Sequence, residues 1–261
     1  MYKCARYLPL LRLCRASSVK ERITVTQAKT STSNTSGLTI DPSLKVIAID
    51  GPAGAGKSSV SKGLAEAIGF TRLDTGALYR AIGLAALRAE VQAMEGEALN
   101  ALLSSIEVKL EGTEIILNGQ RESESLRTPE VSRAASDFAK LPSVRSKLLS
   151  LQRSIGESAP SIVDGCDIGT VVFPDAPLKI YLTASADARA ERRLAELSSQ
   201  GVEADFETTK AEIIARDEQD MSREIAPLKR AEDAKLVDAT EMNLEEVVRA
   251  CQRLANAVFE L

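Results

Sequence analysis

An α/β fold, with a parallel sheet covered by helices on both faces, is what the sequence predicts, and three observations predict it. Short apolar, β-branched runs recur along the chain, they alternate with amphipathic helical segments, and the first run breaks at a glycine-rich turn that opens a helix. Lys45-Val-Ile-Ala-Ile-Asp50 reads as a buried strand. After the turn, Lys57 to Ile68 places Val60, Leu64, Ala65 and Ile68 on one helical face. Leu78 to Ala89 is expected to be a second helix, which the Glu-rich segment after Val91 extends or interrupts. Ile106-Glu-Val-Lys-Leu110, a turn at Glu111-Gly112-Thr113, and Glu114-Ile-Ile-Leu-Asn118 predict a small hairpin lying outside the parallel core. Residues 129–158 read as two helices parted at Leu141-Pro142. Ser161-Ile-Val-Asp164 and Leu178-Lys-Ile-Tyr-Leu182 are further strands; Ala186 to Gln200 and Phe206 to Asp220 are charged helices. Ala234-Lys-Leu-Val-Asp238 is a last strand before a helix from about Asn243.

The 261 residues suit one large domain with inserted lobes. Histidine is absent, which removes every mechanism built on an imidazole base. Cys4, Cys14, Cys166 and Cys251 form no CxxC pair, so neither a zinc site nor a disulfide framework is expected, and a reducing compartment fits best. No apolar run reaches the roughly 18 residues of a membrane span. The formal charge of −4 gives no argument for a nucleic-acid partner. Residues 1–44 differ: seven Lys/Arg stand against Glu21 and Asp41, a net +5 that leaves −9 for the remainder. Such a basic, Ser-rich end is either a transit peptide for an organelle, mitochondrion or plastid, or an untargeted disordered extension of a cytoplasmic protein, or the product of a start assigned too early.

The most specific local signal is the run Gly51, Pro52, Ala53, Gly54, Ala55, Gly56, Lys57, Ser58, which matches G-x-x-x-x-G-K-[ST] between a strand and a helix. Glycines let such a loop wrap phosphates with its backbone N–H groups, and the following helix adds its positive end. Gly51 to Ser59 are therefore expected to bind ATP, with Lys57 on the β- and γ-phosphates and the Ser58 hydroxyl on Mg²⁺. Asp164 ends a buried strand, where an unpartnered carboxylate is costly, and a water-mediated Mg²⁺ role is open to it. Asp74 and Tyr79 follow the loop helix closely; the first is read as a helix cap or a site residue, the second as core or site.

The acceptor is narrowed by Leu73-Asp74-Thr75-Gly76-Ala77-Leu78-Tyr79-Arg80. Together with Ile47 to Lys57, Asp164-Gly165-Cys166-Asp167-Ile168-Gly169-Thr170 through Pro177, Arg216 to Arg223 and Ala226-Pro227-Leu228, it resembles the bacterial-type cytidylate kinases, from about Lys45 to the C-terminus. The resemblance implies a P-loop three-layer αβα sandwich with a parallel sheet, an inserted lobe for the nucleoside monophosphate carrying a small antiparallel sheet, and a mobile helical lid. It divides 45–261 into a core (45–82, 159–185, 225–261), an insert (about 83–158) and a lid (about 186–224). It implies ATP-dependent phosphorylation of CMP and dCMP; the chain is expected to be a monomer with no nucleic-acid polymer or membrane partner. By position, Thr75, Tyr79, Arg80, Ser136, Arg145, Asp167, Arg216, Asp220 and Arg223 match residues lining the acceptor pocket. Arg192 and Arg193 fall in the arginine-bearing lid, and with Lys57 and Arg223 they are the candidate catalytic cations. One position departs from the pattern: Cys166 stands where the family carries arginine, which admits the alternative of a catalytically weakened nucleotide-binding regulatory protein.

Overall fold

A computed structural model of the chain describes residues 45–260 apart from 112, 113 and 200. The N-terminal extension 1–44, and the tip expected to turn the hairpin, lie outside the described residues. Five parallel strands form the main sheet: β1 (Val46–Asp50), β2 (Thr71–Asp74), β6 (Ser161–Asp164), β7 (Leu178–Thr183) and β8 (Lys235–Asp238), in the order β2-β6-β1-β7-β8. β1 is central, pairing Val46 with Ser161 on one side and Ile47 with Leu178 on the other.

Strand periodicity divides the core into two layers. Val46 and Ala48 pack with Leu73, Val163, Leu78, Ile82 and Leu148, the last three from α2 (Thr75–Arg88) and α5 (Pro142–Ser158). Ile47 and Ile49 face the opposite way, onto Val60 and Leu64 of α1 (Lys57–Ile68) and Val247 and Cys251 of α8 (Leu244–Phe259). That is the three-layer sandwich.

A second sheet is antiparallel, β3 (Val108–Glu111), β4 (Glu114–Leu117) and β5 (Gln120–Glu122), with α3 (Glu97–Ser105) ahead of it. Leu99, Ile115 and Leu117 join the same apolar cluster as Val46 and Leu73, so the second sheet packs on the core of the first. α4 (Pro129–Phe138), capped by Thr128 accepting from the Val131 amide, packs on α2. There a Cβ on Gly83 would meet the Ala135 backbone nitrogen at 2.9 Å. The charged segments form α6 (Ala186–Ser199) and α7 (Phe206–Met221), packed on each other. Among the described residues no helix is long and apolar enough to cross a membrane.

Three details go beyond the sequence reading. The Glu-rich segment interrupts rather than extends α2, and α3 follows it; the hairpin gains a third strand; and Thr71–Asp74 is an edge strand. A π-helical turn at Ile168–Val172 links β6 to β7.

Candidate active site

β1 delivers the chain to the phosphate loop at the point where the crevice of a parallel sheet opens, beside the strand ends on either side of it. Gly51 has φ 150°, and a Cβ there would lie 1.9 Å from the Leu182 carbonyl oxygen, so only glycine lets the loop leave β1 so close to β7. Gly54 and Gly56 take φ 76° and 93°, left-handed conformations that bend the backbone around the start of α1. Lys57 Nζ donates to the carbonyls of Gly51 (2.6 Å) and Pro52 (2.8 Å), which holds the ammonium across the loop. Its pKa is lowered, chiefly by burial, against the opposing effect of the Cys166 and Asp164 side chains.

Behind the loop, the sheet register sets Asp164 of β6 beside Asp74 of β2. Asp164 Oδ1 accepts from Ser61 Oγ (2.6 Å) and Arg72 Nε (3.1 Å), while Oδ2 accepts from Ser58 Oγ at 3.3 Å. Burial pushes the Asp164 carboxyl up, as does Asp74; Arg72 and Ser61 oppose this. Asp74 is the N-cap of α2, accepting from the Ala77 amide at 3.0 Å, and its other oxygen takes Arg80 at 3.1 Å. The structure shows Asp74 as the helix cap, and the same side chain pairs with Arg80. Thr75, expected to face the acceptor, is buried and donates its hydroxyl to the Asp164 carbonyl at 2.8 Å.

Arg145 of α5 is buried, donates to the Ala139 carbonyl (2.9 Å) and to Asp167 Oδ2, and lies 5.7 Å from the centroid of the Tyr79 ring. Burial raises the Tyr79 hydroxyl to about 12. Ser136 is half-buried on α4. Asp167 opens the π-helical turn, whose first two amides, Ile168 and Gly169, donate to the two carboxylate oxygens of Asp50 at 2.7 Å each.

Just after α7, Arg223 brings Nη1 to 3.6 Å from Cys166 Sγ and pairs with Asp220 through Nη2; its Nε is buried without a partner. Arg216 Nε is 4.0 Å from Asp220 Oδ2. Cys166 lies 3.8 Å from Asp167 Oδ1, and its thiol is pushed up to about 12, first by burial and next by the Asp167 charge. Arg192 donates to the carbonyls of Ala55 (3.4 Å), Ala239 (2.5 Å) and Met242 (3.5 Å), and Arg193 pairs with Glu196 on its own helix at 2.6 Å. The arginine at Cys166 is therefore Arg223.

The family model described as cytidylate kinase matches residues 47–257. The chain belongs to the cytidylate kinase family. It is 46% identical over 207 residues to a cytidylate kinase of Caldicellulosiruptor saccharolyticus, covering 78% of this chain and 92% of that one. Against the cytidylate kinase of Klebsiella pneumoniae the identity is 46% over 216 residues, covering 81% and 95%. Carboxydothermus hydrogenoformans has a cytidylate kinase 47% identical over 206 residues, covering 77% and 93%.

Two side chains of the site, Arg72 and Arg189, lie in no motif, and a third, Asp50, lies in the Ile47 to Lys57 run without a role read for it. Asp50 holds the π-helical turn, Arg72 holds Asp164, and Arg189 ties α6 to the loop by donating to the Ala53 carbonyl (3.1 Å) while pairing with Asp217 of α7 at 2.6 Å. One signal did exist. Asp50 ends a buried strand, and the argument that a buried carboxylate needs partners applies to it as it does to Asp164.

Proposed function

We propose that this chain transfers the terminal phosphoryl group of ATP to CMP and dCMP, giving CDP and dCDP. The observation that carries the reading is the buried Arg145–Asp167 pair beside Tyr79 of α2. Cytosine presents an N4 amino donor next to acceptors at N3 and O2. A carboxylate suits the donor, and a guanidinium and a hydroxyl suit the acceptors, which assigns Asp167 to the amino group and Arg145 with Ser136 to N3 and O2. Uracil has a carbonyl where cytosine has its amino group, and it would face Asp167 acceptor to acceptor. Asp220 is assigned to the sugar hydroxyls, with Thr75 and Tyr79 lining the site. Arg80, Arg216 and Arg223 are assigned to the acceptor phosphate as charge-assisted partners.

In the reaction an acceptor phosphate oxygen forms the new P–O bond as the bond from the γ-phosphorus to the bridging oxygen breaks, its electron pair leaving on ADP. Such transfer needs alignment and charge neutralisation more than a side-chain nucleophile, consistent with a chain that lacks histidine. Lys57 neutralises the β- and γ-phosphates. Arg192 and Arg193 reach the transferring group when the lid at about 186–224 closes, Arg192 exchanging backbone carbonyls for phosphate oxygens. Ser58 Oγ and Asp164 Oδ2, 3.3 Å apart, are an oxygen donor set suited to a hard cation, with Ser58 as direct ligand and Asp164 acting through water. A Mg²⁺ ion held by these residues would supply charge neutralisation for the transferring phosphate.

Asp167→Asn tests the assignment, because an amide offers both donor and acceptor where the carboxylate only accepts. The ratio of kcat/KM for CMP over UMP is expected to fall by about tenfold or more, the worth of one mismatched hydrogen bond. An unchanged ratio would sink the role of Asp167.

A further inference from the structure

Asp50 is 4% exposed, belongs to no assigned set of site residues, and spends both carboxylate oxygens on one loop. Oδ1 accepts the Ile168 amide and Oδ2 the Gly169 amide, each at 2.7 Å. These amides open a helical turn, where the backbone itself provides no acceptor. Three residues earlier the same loop is fastened to the same strand, the Gly165 amide donating to the Ile49 carbonyl at 3.0 Å. The last two residues of β1 therefore clamp the loop at both ends, and the residues between the clamps are Cys166 and Asp167. β1 then continues without a break into Gly51 of the phosphate loop.

We infer that Asp50 is a positioning residue for acceptor selection: it fixes the Cys166–Asp167 loop against the base of the phosphate loop, so that the cytosine-reading carboxylate and the phosphoryl donor share one pivot. The inference rests on the reading of Asp167 proposed above. A carboxylate is suited to the task because it presents two acceptors in one plane to two successive amides. An asparagine can satisfy only one of them and turns an N–H towards the other. The glycine at 169 is part of the same fit. A Cβ there would lie 3.2 Å from Asp50 Oδ2 and 3.1 Å from Lys179 Cδ, so an alanine pushes on the same contact from the opposite side.

The test compares Asp50→Asn, Gly169→Ala and Asp167→Asn in the full-length enzyme. Initial rates with CMP and UMP are read beside equilibrium binding of a fluorescent ATP analogue. Asp50→Asn is expected to raise KM for CMP by about tenfold and to lower the CMP:UMP ratio, with ATP-analogue affinity held within about twofold, because one buried hydrogen bond is lost on the acceptor loop alone. Gly169→Ala is expected to move the ratio in the same direction by less. A ratio that falls in Asp167→Asn but stays fixed in both Asp50→Asn and Gly169→Ala overturns the positioning role and leaves the cytosine reading standing. A ratio fixed in all three variants overturns both. Loss of ATP-analogue affinity in step with loss of CMP binding also overturns the inference, since it marks general damage to the sheet end. Should Asp50→Asn fail to fold, Gly169→Ala decides, its unchanged ratio counting against the inference.

Discussion

At the scale of single residues, two side chains carry consequences that geometry and charge together fix. Burial raises the Asp50 carboxyl from its ordinary 3.8 to about 6, against the two amides that lower it. The native chain therefore binds this proton more tightly than the unfolded one. The stability it contributes is full below about pH 4 and is lost as pH rises through about 6, on the order of 3 kcal/mol for a shift near two units. Denaturant unfolding of the wild type and of Asp50→Asn at pH 4.5 and 7.5 is expected to show a larger fall with pH in the wild type; an equal fall would contradict the burial argument. The second residue is Cys166, neutral at the position where the resemblance implies arginine. Arg223 Nη1, 3.6 Å away, already brings positive charge to the spot, although it is shared with Asp220. Cys166→Arg is therefore expected to raise kcat/KM for CMP by about tenfold, the low end for one charge-assisted contact, with ATP binding little changed. A drop in turnover would mean that Arg223 and the thiol form an adapted pair which a second guanidinium disrupts.

At the scale of elements, the join between α2 and α4 bears most on the proposed acceptor pocket, because α2 carries Tyr79 and Arg80 and α4 carries Ser136. Backbone approach at Gly83 sets their separation: a Cβ there meets the Ala135 nitrogen at 2.9 Å and the Ala134 Cβ at 3.2 Å. Gly83→Ala is expected to wedge the helices apart, costing about 1–3 kcal/mol of stability and raising KM for CMP more than KM for ATP. Equal changes in the two KM values, or none, would show that the join does not set the pocket. Elements were legible where the pattern was local. Val46–Asp50, the glycine loop and α1 were read with bounds within a residue, and the break at Leu141-Pro142 fell where proline opens α5. β2 was missed because an edge strand with exposed Thr71 and charged Arg72 has no apolar run to betray it. The third strand of the small sheet is only three residues long, of which Gln120 and Arg121 are exposed.

At the scale of the whole molecule, the site is an assembly of segments far apart in sequence on one end of a parallel sheet. Ser58 meets Asp164 across 106 residues, Asp50 meets Gly169 across 119, and Arg192 meets the loop at Ala55 across 137. Motifs name the members of such a site because each is a short local pattern. They do not say which members touch, and so Asp167 with Arg145 and Arg223 with Cys166 emerge as pairs only from the fold. The same distance in sequence hid Arg72 and Arg189, which lie in no motif yet hold Asp164 and the Ala53 carbonyl. What unites these contacts is a phosphate loop at the end of β1 and the loop carrying Asp167, the residue proposed to read the base, bonded to the last two residues of that strand. The most direct test of that union is to supply the wild-type enzyme with ATP and Mg²⁺ and, in turn, CMP, dCMP, UMP and AMP, following formation of each diphosphate. CDP and dCDP are expected to form readily, UDP at a rate lower by about tenfold or more for the mismatched base edge, and ADP from AMP no faster than background. Turnover of AMP or UMP in preference to CMP, or no turnover of any acceptor by a protein that binds ATP, would contradict it.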